Sequence, residues 1–151
     1  MNLNKIQKDI FRSMLAGERV RKFEIDEQRV LITPSGYYGF VIPYSNVQFN
    51  LEKIATVKAL DINSIISEEN LCVLTKELII MEHPPKRFAR ILKNGDRKIY
   101  FDQKLLDYFQ NPKFYNANST QAIVVTEDIS ATRKNEIVGL IMPIRVFEGE
   151  I

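Results

Sequence analysis

Apolar residues recur at steps of three and four through Leu3, Ile6, Ile10 and Met14, and Phe11 and Leu15 widen the stripe. That period puts them on one face of an amphipathic helix, with Gly17 as its stop. The period then shortens to two. Phe23 and Ile25 alternate with polar neighbours, Asp26-Glu27-Gln28 turns the chain, and Val30-Leu31-Ile32 reads as a second strand. Pro34-Ser35-Gly36 supplies the next turn, before an apolar run over residues 37–42. Pro43 has no amide hydrogen for a ladder, so it ends that strand or sets it at a sheet edge.

Residues 47–87 carry less pattern. Residues 47–57 read as partly extended, 61–70 as a short helix or a loop, and 78–81 as a buried strand that Pro84-Pro85 breaks. A hairpin is clearer beyond them: residues 88–92, an Asn94-Gly95 turn, then residues 99–101. Asp102 is placed to cap a short helix holding Leu105, Leu106 and Phe109, which Asn111-Pro112 stops. Strands follow at Phe114-Tyr115, at 122–125 and at 137–146, with a polar loop over 127–136 between the last two.

The two ends of the chain share an order of elements. The first runs helix, strand, Val30-Leu31-Ile32-Thr33, turn, Gly39-Phe40-Val41-Ile42-Pro43. The second runs helix, strand, Ile123-Val124-Val125-Thr126, loop, Gly139-Leu140-Ile141-Met142-Pro143. These halves, about 3–43 and 102–146, predict an α+β fold in one domain over residues 1–151. It would consist of two pseudo-symmetric helix-plus-three-strand units with antiparallel sheets.

Composition narrows the classes. The 151 residues are 45% hydrophobic and 26% charged, enough to bury a core and too apolar for disorder. A net charge of +2 implies neither nucleic acid nor membrane, so any such argument rests on where charges sit. Cys72 is the only cysteine, which excludes an internal disulfide and fits a reducing compartment. Lys5, Lys8, Asp9 and Arg12 interrupt the apolar N-terminus, unlike a signal peptide, and no run is long enough to span a membrane. A cytoplasmic protein is expected, with no membrane partner.

The segment from Phe101 onward resembles the closing part of a bacterial DNA sliding clamp, the β subunit of the replicative polymerase. The features are the helix Lys104-Leu105-Leu106-Asp107-Tyr108-Phe109, three strands, and above all Ile141-Met142-Pro143-Ile144-Arg145-Val146. Clamps typically end in an apolar strand followed by Met-Pro-Met-Arg-Leu. Pro34-Ser35-Gly36-Tyr37-Tyr38 more weakly resembles the Thr-Asp-Gly-His-Arg turn of clamp domains. The resemblance implies a DNA-clamp-like domain and two activities. Short apolar peptides of a protein partner would dock at Gly36, Tyr37, Met142, Pro143, Ile144, Arg145 and Val146. Double-stranded DNA would be held by Lys5, Lys8, Arg12, Arg19, Arg21 and Lys22. The chain departs from the family in holding one domain where clamps hold three, and in running on past Val146. A single domain would have to self-assemble, as a homo-oligomer through exposed sheet edges at the chain ends, to encircle DNA.

Each signal also has an ordinary structural reading. Lys5, Lys8 and Arg12 share a helix face and can meet successive phosphates, but solvated faces look the same and Asp9 and Glu18 dilute the charge. Residues 142–145 suit a buried edge strand as well as a docking strand. Tyr37, Tyr38 and Tyr44 suit a binding surface and equally a sheet face. His83, the single histidine, sits beside Pro84-Pro85, and Cys72 lies in an apolar run, so neither marks a catalytic centre. Metal-ligand spacing, phosphate loops, dinucleotide fingerprints and nucleophile elbows are missing from the sequence, so no metal, cofactor or catalytic residue is expected. A non-catalytic binding module in DNA metabolism is the expectation, of the kind a phage or mobile element carries. The alternative is a protein–protein interaction or inhibitor domain with no nucleic-acid role.

Overall fold

In the computed structural model, residues 1–57, 62–81 and 87–145 are described. They hold one α-helix and ten strands in the order α1 (Leu3–Leu15), β1 (Arg21–Glu24), β2 (Arg29–Ser35), β3 (Tyr38–Pro43), β4 (Ala55–Val57), β5 (Leu71–Met81), β6 (Arg87–Asn94), β7 (Arg97–Asp102), β8 (Lys113–Tyr115), β9 (Ile123–Glu127) and β10 (Glu136–Ile141). The strands form a single sheet with spatial order β4-β1-β2-β3-β10-β9-β8-β5-β6-β7.

This overturns the expected clamp-like pair of helix-plus-three-strand units. β3 pairs directly with β10, so the strands from the two ends fuse into one sheet; β4 then joins β1 in parallel, which makes that sheet mixed. The segment predicted as a second α-helix is a six-residue 3-10 helix, Gln103–Tyr108, whose first turn Asp102 caps by accepting from the Lys104 amide. Six residues between β7 and the extended Phe109 are too few to offset α-helix nucleation, and the tighter turn serves instead. The matched pentapeptides do lie side by side, with Gly39 opposite Leu140 and Gly139 opposite Phe40 at the middle of the sheet.

α1 covers one face of β2 and β3. Asn2 caps it, and Ile6 and Ile10 are wholly buried against a core that includes Val30, Ile32, Phe40 and Ile42. Gln7 sits within this apolar face because both ends of its amide are used: Nε2 donates to the Asn46 carbonyl and Oε1 accepts from the Gln48 amide, each at 2.7 Å. Phe11 and Leu15, expected on the buried stripe, are 52% and 74% exposed. The opposite sheet face has a smaller core of Leu31, Val41, Tyr115, Val124 and Ile137, on which Ile62, Ile65 and Ile66 pack.

The second half of the sheet curls on itself. Ile144, three residues beyond β10, donates its amide to the Tyr100 carbonyl of β7 at 2.7 Å. In a flat sheet those strands, five apart, would lie about 24 Å from each other. Three residues reach at most about 10 Å. The curl brings them together. β10 therefore ends at Ile141, and the strand expected over 137–146 is cut short: Met142 still bonds to the Tyr37 carbonyl, and from Pro143 the chain leaves the ladder to reach β7. The sheet edges are β4 and β7, not the chain ends expected to carry self-assembly. The strand expected over 78–81 is the end of the eleven-residue β5, and Leu78 and Ile80 are exposed there, where a buried strand was predicted.

Candidate functional site

On the sheet face away from α1, a groove of about 430 Å³ opens between β1, the β2–β3 turn and the end of β10. Register builds it. Arg21 stands opposite Thr33 and Phe23 opposite Leu31, so Arg21 and Phe23 project from the same face of β1. Leu140 stands opposite Gly39, which adds no side chain of its own; Thr33 Cγ2 and Leu31 Cδ1 occupy the space a Cβ there would enter. Phe23, Leu140, Met142 and Ala122 make the apolar lining, while Arg19 and Arg21 are its charged members.

The end of β10 is tied to the turn beside it. Met142 donates its amide to the Tyr37 carbonyl at 2.7 Å, which holds the Met142 side chain over the groove with 39% of its surface exposed. Ala122 is positioned from below by Asn116, a wholly buried side chain whose Nδ2 donates to the Gln121 and Ala122 carbonyls at 3.0 and 3.2 Å. Its Oδ1 accepts from the Arg97 guanidinium, which also reaches the Asn116 carbonyl at 2.7 Å.

The residues expected to bind a partner divide here. Gly36 and Met142 line the groove; Tyr37 is beside it, joined through its carbonyl and 74% exposed. Pro143 and Ile144 run away from it toward β7, Arg145 is exposed beyond them, and Val146 lies outside the described residues, as does His83.

The six residues expected to hold DNA are not brought together. Lys5 places its ammonium 4.5 Å from the centre of the Tyr108 ring, and Arg12 lies 3.7 Å from Asp9. Lys8 is exposed on the same helix. Arg19 and Arg21 belong to the groove on the other sheet face, and Lys22 donates to the Leu51 carbonyl at 2.7 Å. Phe23, Thr33, Ala122 and Leu140 were missed by sequence reasoning. Alternation marked Phe23 as sheet-facing, but only the β1–β2 and β3–β10 registers show that it shares a face with Leu140.

A second cleft, of about 480 Å³, lies at the far end of the same strands, where its charged groups already satisfy one another. Arg29 contacts Asp26 at 2.9 Å and Glu136 at 3.1 Å, and Arg133 contacts Glu136 at 3.4 Å. The buried Glu127 accepts from the Met1 ammonium and the Gln110 amide, both at 2.6 Å. The backbone amide of Gln28, and then Arg29, hold the Asp26 carboxyl below its ordinary value. This cleft is larger, yet it presents no unspent charge to a ligand.

Burial holds a thiol and the phenols of Tyr38 and Tyr108 toward their neutral forms. Burial raises the Cys72 thiol, so it is a packed side chain and not a ready nucleophile. Burial first, and then the hydrogen bond it donates to Asp9, raise the Tyr108 phenol; Tyr38, stacked on it at 6.2 Å, is raised by burial and by the charges of Asp9 and Glu18. Both tyrosines keep their protons in the fold at pH values where the unfolded chain, with an ordinary value of 10.0, gives them up. Above that pH the unfolded state binds fewer protons, so stability falls as pH rises. Alkaline titration followed by circular dichroism and tyrosinate absorbance should show that part of the tyrosinate signal, that of Tyr38 and Tyr108, appears only together with unfolding, above about pH 10.

Among the described residues no cluster of three or more His, Cys, Asp or Glu is arranged to hold a metal ion, and no helix is long and apolar enough to cross a membrane. Compared with family models, curated proteins and solved structures, the chain matches none.

Proposed function

We propose that this protein is a non-catalytic binding module that takes a segment of another protein into the groove between β1, the β2–β3 turn and the end of β10. The observation that carries this reading is the convergence of Phe23, Leu140 and Met142, apolar and accessible, beside two arginines with no ion pair among the described residues. Apolar anchors in a preformed concavity supply most of the affinity in such contacts, and surrounding polar groups orient the segment. Tyr37 at the rim adds a large, mostly exposed ring with few rotatable bonds, which is a low-entropy contact.

This favours the protein–protein alternative over duplex DNA. A duplex needs several cations along one surface. Here Lys5 and Arg12 are engaged on their own helix face, Arg19 and Arg21 face the opposite side of the sheet, and Lys22 is spent on a carbonyl.

Random peptides displayed on phage and selected against the full chain test the reading. Selected sequences should carry one or two large apolar residues, and Met142→Asp should weaken their binding at least about tenfold, since it puts a carboxylate where an apolar anchor sits. The variant should keep the wild-type circular dichroism spectrum, because Met142 is outside the core. Peptides that bind the variant as tightly as the wild type would place the binding surface elsewhere.

A further inference from the structure

We infer that the groove selects an acidic apolar segment: a carboxylate side chain lying next to a large apolar anchor. This rests on the protein-binding reading above and specifies the chemistry of the partner.

The groove and the cleft at the far end of its strands differ in how their charges are balanced. In the larger one, Arg29 and Arg133 are matched by Asp26 and Glu136 within 3.4 Å. The groove lining contains Arg19 and Arg21 and no aspartate or glutamate. Neither guanidinium makes a salt bridge or a side-chain hydrogen bond among the described residues. Glu24 alternates to the other side of β1 from Phe23, and Asp9 accepts from Tyr108 on the helix face. Glu18, next to Arg19 in the chain, is exposed and pairs with neither arginine among the described residues. Two uncompensated guanidinium groups at the rim of an apolar concavity are complementary to a ligand that brings carboxylate and apolar surface together.

Geometry limits the alternatives. Guanidinium forks bind carboxylates in bidentate fashion, and both arginines come from one short stretch, so they serve one or two neighbouring acids and not a long polyanion. The floor of Phe23 and Leu140 offers a nucleic-acid backbone nothing to pair with. An apolar side chain seated there places the residue beside it within reach of Arg21, whose side chain projects from the same face of β1 as Phe23.

The peptide selection decides this, read for charge as well as for binding. The expected pool is enriched in Asp or Glu adjacent to Leu, Ile, Met or Phe. Arg19→Gln and Arg21→Gln should each weaken the selected peptides about fivefold, and raising salt should weaken them in the wild type. The double variant Arg19→Glu with Arg21→Glu should reverse the preference, so that a peptide with Lys in place of its acid binds better than the parent. Both arginines lie outside the two cores, and unchanged circular dichroism of the variants separates charge from folding. Peptides that depend on Met142 but lack acids, or ignore both arginine changes, overturn the acidic preference and leave the groove reading standing. Peptides indifferent to Met142→Asp, or no enrichment at all, overturn both. Displacement of the peptides by duplex or single-stranded DNA at comparable concentration overturns the assignment to a protein segment.

Discussion

Valine in place of Gly139 should cost about 3 kcal/mol of stability or more, seen as a lowered denaturant midpoint with an unchanged slope. Gly139 lies where β10 meets β3. A Cβ there would come within 2.8 Å of Phe109 Cζ and 3.0 Å of the Gly39 carbonyl oxygen. Neither neighbour has room to yield. The Phe109 ring packs 6.0 Å from the ring of Phe40, a wholly buried core residue, and the carbonyl belongs to the facing strand. The substitution must separate β10 from β3 or displace Phe109 from the core. Separation breaks the one pairing that joins the two halves of the sheet, β4 to β3 and β10 to β7. Phe109→Leu in the same chain should recover part of the loss, because it removes the ring atoms nearest the new side chain. If Gly139→Val left the midpoint unchanged, the β3–β10 junction would not be packed as described.

Asn116→Ala should cost about 2 to 4 kcal/mol, for a different reason. The change leaves the Gln121 and Ala122 carbonyls without their donor and removes an acceptor from the half-buried Arg97 guanidinium. Leaving buried polar groups unpaired costs more than their hydrogen bonds contributed. The loss also reaches the site, since Ala122 is part of the groove lining and Asn116 holds the chain just before β9 in place. Peptides selected on the wild type should therefore bind the variant more weakly even under conditions where it is fully folded. Urea unfolding and a binding titration of the same sample check both effects. A variant as stable as the wild type would mean that water replaces both donors at no cost.

Local pattern carried most of the individual elements. The three- and four-residue period of Leu3, Ile6, Ile10 and Met14 located α1, and Asn94-Gly95 located the β6–β7 turn, where Gly95 has a φ of +60°. Both depend on residues close in sequence, where propensity and turn chemistry act directly. What the sequence could not show was which strands meet. β3 against β10 and β1 beside β4 are pairings between distant segments, fixed by tertiary packing. The similarity of the two Gly-to-Pro pentapeptides was read as a sign of two separate units, whereas those strands are neighbours in one sheet. The segment after Asp102 has the apolar spacing of a helix and too little length for an α-helical one.

The site was legible in part for the same reason. Gly36, Tyr37 and Met142 were marked by turn chemistry and by the motif at the end of β10, and the fold brings them to one place. Arg19 and Arg21 were visible as charges but were grouped with Lys5, Lys8 and Arg12 by proximity along the chain. The strand period separates them, because β1 carries Arg21 on the face away from α1. Phe23 and Leu140 each read as ordinary strand residues; that both line one groove across β2 and β3 is a property of sheet order and not of either segment.

The most direct test of the groove as the binding site is the methyl spectrum of the protein labelled at methionine, titrated with the tightest selected peptide. Met142 lines the groove, while Met14 lies on α1 and Met81 is buried at the end of β5. A saturable shift of the Met142 resonance, with Met14 and Met81 unmoved, is the predicted result. Saturable binding with Met142 unmoved would contradict the account and assign recognition to another surface.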